Sequence, residues 1–109
     1  MKRKAEKELI KPGGENVYPA EVEKVVLQFP GIKEVVIIGF PHPKWGEGIK
    51  AICVVEVGFS ADEQDIIDFV AGKIARYKKP HLVEFVSSLP KDEAGFIDRE
   101  KVKAIYGNN

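Results

Sequence analysis

Two histidines, one cysteine, one tryptophan and a short basic run are the side chains of this sequence with the most chemistry in them. His42, His81 and Cys53 lack the paired short spacings through which zinc is usually held, so no metal site is expected. His42 stands in the proline-rich stretch Pro41-His42-Pro43-Lys44 and reads as a solvent-facing or loop-packing residue. Cys53 falls inside the apolar run Ile49 to Val57, where a thiol behaves as a small buried hydrophobe. No Gly-x-Ser-x-Gly elbow offers a nucleophilic serine, and Gly13-Gly14 lacks the lysine and helix of a phosphate loop. Lys73, Arg76, Lys78 and Lys79 form the densest charge cluster. At the end of a helix it would balance the helix dipole; the sharper reading is a surface that meets an anionic ligand. Trp45, in a loop of Gly and Pro, is expected to lie as a lid on the domain's own core, with an interface role as the alternative.

Elements must position these groups. Glu8-Leu9-Ile10-Lys11 and Asn16-Val17-Tyr18 flank Pro12-Gly13-Gly14 and read as a small hairpin. Pro19 suits a first helical position, Glu21 and Glu23 follow in the first turns, and Val22, Val25 and Val26 share one face. Phe29-Pro30-Gly31 stops that helix. Ile32 to Phe40 and Ile49 to Val57 are β-branched runs, expected as strands covered on both faces and joined as a long hairpin at the centre of the sheet. Ser60-Ala61-Asp62-Glu63 matches a capping box, and Ile66, Ile67, Val70 and Ile74 line the helix behind it. Pro80 marks its exit, His81 to Val86 alternates as a strand, Ser87 to Ile97 is a loop, and Asp98 caps a last helix over Arg99 to Ile105. The order ββαββαβα predicts an α+β fold, a small mixed sheet with helices packed on it.

The whole chain has 109 residues, with Lys+Arg 17 balanced by Asp+Glu 17, which gives no reason to expect nucleic acid or a polybasic membrane anchor. No apolar run approaches the roughly 20 residues of a membrane span, and MKRKAEKELI lacks the apolar stretch of a secretory signal, so a cytoplasmic location is expected. A domain this short has little volume left after its core to enclose several substrates. A partner-dependent domain, or a piece of something larger, is therefore favoured over a complete multi-substrate enzyme.

Three segments in order carry a more specific signal. Glu8 to Glu23 (ELIKPGGENVYPAEVE), Val36 to Glu47 (VIIGFPHPKWGE), and Tyr77-Lys78-Lys79-Pro80 through Leu89-Pro90-Lys91 to Gly95-Phe96-Ile97-Asp98-Arg99 resemble the C-terminal domain of adenylate-forming enzymes. The resemblance runs from about Ala5 to Gly107 and is strongest to the acyl-CoA synthetase branch. It implies a hinge or linker remnant over residues 1–7, a lid domain over 8–109, and a large N-terminal domain that binds ATP with magnesium and the carboxylic acid. It implies no cofactor for the lid itself, and a lid that closes one way for adenylation and another for thioester formation with coenzyme A. Lys7 matches the hinge residue, and Gly14 a glycine bordering the pantetheine tunnel, where a missing side chain lets backbone approach the thin ligand. Lys11 would face the site or solvent, and Arg76, Lys78 and Lys79 are candidates to meet the phosphates of coenzyme A.

One departure stands out against that pattern. The family's closing motif is Gly-Lys-Ile-x-Arg, whose lysine reaches the acyl carboxylate and phosphates; here the catalytic position is Phe96. A phenylalanine offers neither charge nor donor to a departing pyrophosphate. The expectation is a lid of an AMP-forming acyl-CoA ligase with no activity alone and impaired adenylation, Lys91 being the nearby cation that would have to substitute. The alternatives are a degenerate, stand-alone binding or interaction module of the same fold, and an α+β module with no enzyme parent.

Overall fold

The computed structural model describes residues 9–107. The hinge assignment at Lys7 and the start of the first predicted strand at Glu8 lie outside them. Helix α1 (Pro19–Val26) begins as its sequence dictates, with proline in the first turn, Glu21 beside the helix's positive end, and Val22, Val25 and Val26 buried. Strand β1 (Ile32–His42) then pairs antiparallel with β2 (Gly46–Val55), Val35 facing Cys53 and Ile37 facing Ala51. Helix α2 (Glu63–Ala71) crosses over to β3 (Leu82–Phe85), which runs parallel to β2, and α3 (Arg99–Tyr106) closes the chain.

The sheet has three strands in the order β1-β2-β3. Its alternating side chains feed two cores. On one face Val35, Ile37, Ile49, Ala51, Cys53 and Val83 meet the apolar stripes of α1 and α2. On the other, Val36, Ile38, Ile52 and Val54 pack with Leu89 and with Val102 of α3. Each fully buried valine or isoleucine contributes about 1.5–3 kcal/mol relative to exposure, so both faces hold the sheet. This covering on both sides is why β1 and β2 read as continuous β-branched runs rather than as alternating ones.

The α+β class, the mixed sheet and its three helices stand, but the order of elements needs correcting. The predicted opening hairpin is a single bridge between Ile10 and Val17 around a 3-10 turn at Pro12–Gly14, so among the described residues the strands begin only after α1. A span so short, with a proline at its turn, cannot extend a ladder. The β1–β2 hairpin is not the centre of the sheet either: β2 is central and β1 is an edge. Its ladder reaches His42 opposite Gly46, which shortens the expected loop to Pro43, Lys44 and Trp45. An edge strand tolerates Pro41 because the proline needs no ladder donor on its outer side.

The capping box does not form. Asp62, not Ser60, precedes α2, and Glu63 instead accepts the backbone N–H of Val83 at 2.7 Å. Helix α2 ends at Ala71, so the basic cluster lies beyond it, in and around a 3-10 turn at Arg76–Lys78. Dipole compensation therefore does not account for that cluster, because the effect fades within the last turn. Asp98 caps α3 as expected, accepting the Lys101 N–H at 3.1 Å. Among the described residues no helix is long and apolar enough to cross a membrane.

Candidate functional site

The segment from Lys91 to Arg99 is a narrow loop built from its own side chains. Lys91 and Ile97 bridge across its base, and the Asp92 N–H donates to the Phe96 carbonyl at 2.7 Å. The Asp92 carboxylate accepts the N–H groups of Ala94 at 2.9 Å and Phe96 at 3.0 Å, while Gly95 supplies the positive φ of 89° that reverses the chain. Phe96 leaves this turn 72% exposed. No ordinary core requirement places a phenylalanine there.

Behind the loop, Arg99 is anchored in the fold. Its guanidinium donates to Glu23 of α1 at 2.7 Å and to the Ile37 carbonyl of β1 at 3.0 Å. Glu23 also accepts the Ile37 N–H at 2.9 Å. Both outward backbone groups of Ile37 on the edge strand are thus satisfied by side chains, which also blunts that edge against foreign strands. Lys91 forms an ion pair with Glu34 at 3.1 Å, so its charge is directed at β1.

A second cluster surrounds the hairpin tip. Trp45 covers the Pro12–Gly14 turn: the Gly13 N–H donates to the Trp45 carbonyl at 3.0 Å, and a Cβ on Gly13 would come 2.9 Å from the indole. Glu47 accepts the Lys11 N–H at 2.8 Å. Lys11 and Gly14 are both exposed, and Gly14 has a φ of 88° with open space where a side chain would stand. Glycine is therefore required at position 14 by backbone conformation alone. The Trp45 ring itself is 43% exposed and lies on this turn rather than on a core, which corrects the expectation of a core lid.

The basic segment is only partly free to receive an anion. Lys78 is held by both carboxylate oxygens of Glu21, at 2.8 and 2.9 Å, and this hydrogen bond raises the ammonium above its ordinary value. Arg76 and Tyr77 are exposed, and Lys79 is half-buried beside His81. Cys53 is buried, and burial pushes its thiol up to about 12, so it is an inert core residue as expected. His42 ends β1 and its ring bonds to the loop that follows, close to the loop-packing role expected for it; its contact with His81 joins two residues far apart in the chain.

Comparison with known proteins identifies the domain. Residues 21–95 match the AMP-binding enzyme C-terminal domain family. The chain belongs to that family. A long-chain-fatty-acid–CoA ligase of Mycobacterium tuberculosis is 41% identical over 100 residues, which is 92% of this chain and 20% of the ligase. A feruloyl-CoA synthase of an Amycolatopsis species is 39% identical over 101 residues, covering 93% of this chain and 21% of that enzyme. The crystal structure of ATP-bound MatB from Rhodopseudomonas palustris superposes with a TM-score of 0.86 at 36% identity, over 92% of this chain and 20% of that one. The chain thus spans about one-fifth of its relatives, which carry a large N-terminal domain.

Within this AMP-binding C-terminal domain, the described residues singled out from the sequence fall on three separate segments of the chain. Lys11 and Gly14 sit at the hairpin tip, Arg76, Lys78 and Lys79 on the approach to β3, and Phe96 on its own turn. An open groove of about 350 Å³ between the hairpin and the end of α3 is lined by Phe40, Glu47 and Lys103 and by none of those residues. Sequence reasoning missed the Glu23–Arg99–Ile37 anchor and the Asp92 turn. The Asp92-to-Phe96 spacing around Gly95 was a readable turn signal. The Glu23–Arg99 pair had none, because its partners are 76 positions apart.

Proposed function

We propose that this chain is the mobile closing domain of an AMP-forming acid–CoA ligase, inactive alone and completed by the large domain its relatives carry. The observation that supports the reading most is the match of more than nine-tenths of the chain to one-fifth of such ligases. ATP with magnesium, a carboxylic acid and coenzyme A are the substrates of the complete enzyme, which works in the cytoplasm. Relatives named for a long-chain fatty acid and for ferulate match almost equally well, so the lid does not encode the acid. Lys7 serves as the hinge, and Gly14, Lys11, Arg76 and Lys79 face coenzyme A in the thioester-forming pose. Lys78 joins them only by leaving Glu21.

Phe96 then defines the chemistry this lid lacks. A lysine on the same turn would place a cation at the end of a well-fixed loop, where it would offset the charge of the acyl carboxylate and the departing pyrophosphate. Phe96 brings an exposed ring and no charge. Adenylate formation is impaired, while the thioester half-reaction, which uses the Gly14 side of the domain, is retained. The test is ATP–pyrophosphate exchange by the full-length ligase with Phe96 and with Phe96→Lys. Exchange should rise about 100-fold with lysine, the scale of one transition-state donor. Equal and fast exchange in both would sink the assignment.

The exposed Phe96 also supports a second reading, a binding module that has left catalysis. Coenzyme A or nucleotide bound by this chain alone at micromolar concentration favours it; negligible binding favours the lid, since most of the site would be missing.

A further inference from the structure

His42 and His81 are brought together by the fold in a way that neither residue's surroundings in sequence foretell. Their ring centroids lie 5.0 Å apart with planes tilted by 47°. Each ring uses Nδ1 as an acceptor for backbone. His42 Nδ1 accepts the N–H of Lys44 at 3.1 Å and of Trp45 at 3.2 Å, which closes the hairpin tip. His81 Nδ1 accepts the Ile49 N–H at 2.9 Å, while the His81 backbone N–H donates to the Ile49 carbonyl at 2.7 Å, extending the parallel ladder one step beyond β3. Room for the rings comes from Gly48, where a Cβ would meet Phe40 at 2.7 Å and His42 at 3.1 Å.

We propose that His42 and His81 form a latch that holds only while both imidazoles are neutral, and that acid releases the hairpin tip and the Pro12–Gly14 turn beneath it. An Nδ1 that accepts backbone N–H groups cannot carry a proton, so protonation on that nitrogen turns an acceptor into a donor facing other donors. Two imidazolium rings at this separation would also repel each other. The charged group acting on His81 from just beyond the 3-10 segment is Lys79, a further cation. From β1 the neighbour is the uncharged Phe40 ring, 5.8 Å from His42. From the tip, Lys44 lies over the Trp45 ring at 5.0 Å, and Glu47 is engaged with the Lys11 N–H. Burial, with His42 and Lys79 after it, lowers His81 below its ordinary value of 6.5 and outweighs a backbone hydrogen bond with Ile49 that acts the other way, so the net effect favours the neutral ring. The latch is therefore complete above that value and weakens as pH falls through the lowered one. Because Trp45 is bonded to both His42 and Gly13, release is transmitted to the turn that carries Gly14. This inference does not depend on the catalytic reading and is tested on this chain alone.

Trp45 is the only tryptophan and reports the event directly. The experiment follows Trp45 fluorescence and the amide NMR signals of Gly13, Trp45 and Ile49 from pH 8 to pH 5, with Val36 and Ile52 as core references. The expected result is a reversible shift of the tip signals below the ordinary histidine range while the core references stay native. Lys79→Gln should move the midpoint upward, by removing a cation that opposes protonation. His42→Asn with His81→Asn keeps an acceptor at each Nδ1 position without titrating, and should leave the tip signals flat across the range. Tip signals that stay constant in the unaltered chain, or that move unchanged in the double asparagine variant, overturn the proposal. If the double variant does not fold, the midpoint in Lys79→Gln decides: an unmoved or lowered midpoint overturns the latch.

Discussion

Two exposed loops of this domain are fixed by opposite means. The turn from Asp92 to Phe96 holds itself, through the Asp92 carboxylate and Gly95, and points its aromatic ring outward. The hairpin tip is held by distant parts of the chain, through Gly13, Lys11 and the His42–His81 contact, and its aromatic ring lies against the opening turn. A local turn keeps its shape whatever side chain it presents, so residue 96 can change identity without changing position. A loop fixed by long-range contacts moves when any one of them titrates. The first arrangement suits a group that must reach out of the domain, the second a surface that responds to conditions.

The largest effect that would break this contrast is the exchange assay on Phe96→Lys. If lysine restores adenylation by the expected factor of about 100, the loop was already shaped to present it. Next comes the anchor beneath the loop. Arg99→Met removes the charged hydrogen bonds to Glu23 and the Ile37 carbonyl and leaves that carboxylate largely buried with only the Ile37 N–H. Destabilisation of about 2–3 kcal/mol is expected in denaturant titration, since hydrogen bonds to charged groups are the strong ones. A loss below about 0.5 kcal/mol would mean that the loop needs no tertiary support.

Acid then separates the tip from the core. Cys53 lies opposite Val35 in the sheet and is wholly buried. Relative to an unfolded control at the same pH, a pyridyl disulfide probe should find it as protected at pH 5 as at pH 7 while the Trp45 signal has already moved. Labelling at pH 5 that approaches the rate of the unfolded control would show that acid opens the sheet as a whole, not the tip alone. The smallest effect is expected at the exposed ring. Phe96→Ser should alter the unfolding free energy by no more than about 0.5 kcal/mol, the usual range for surface sites without special contacts. A larger loss would show that Phe96 packs on its own domain.

Much of the fold is legible in the order of the amino acids. Val22, Val25 and Val26 announce the buried face of α1, and the β-branched runs announce strands covered on both sides. Asp98 announces the cap of α3. Where local signals mislead, one cause recurs: a distant partner or a packed face overrides them. The capping box at Ser60 fails because Glu63 bonds to the Val83 N–H across the domain. Periodicity through Ile74 overstates the length of α2 and so draws the basic cluster onto a helix end, although Ile74 does pack against the core. Strand-like composition suggests an opening hairpin, but Ile10 and Val17 have room for only one bridge.

The order of apolar and turn residues determined by itself that this chain would be an α+β domain, and its three ordered motifs marked the family. Those are properties of neighbours: side-chain period, proline and glycine punctuation, and the short-range chemistry of caps and turns. Only the tertiary structure decided that β1 is an edge strand, that Glu23 and Arg99 meet at Ile37, and that His42 and His81 share a contact. Each of these depends on which faces pack together. That choice is made by burying two apolar surfaces at once, and the local sequence around any one of these residues does not contain it.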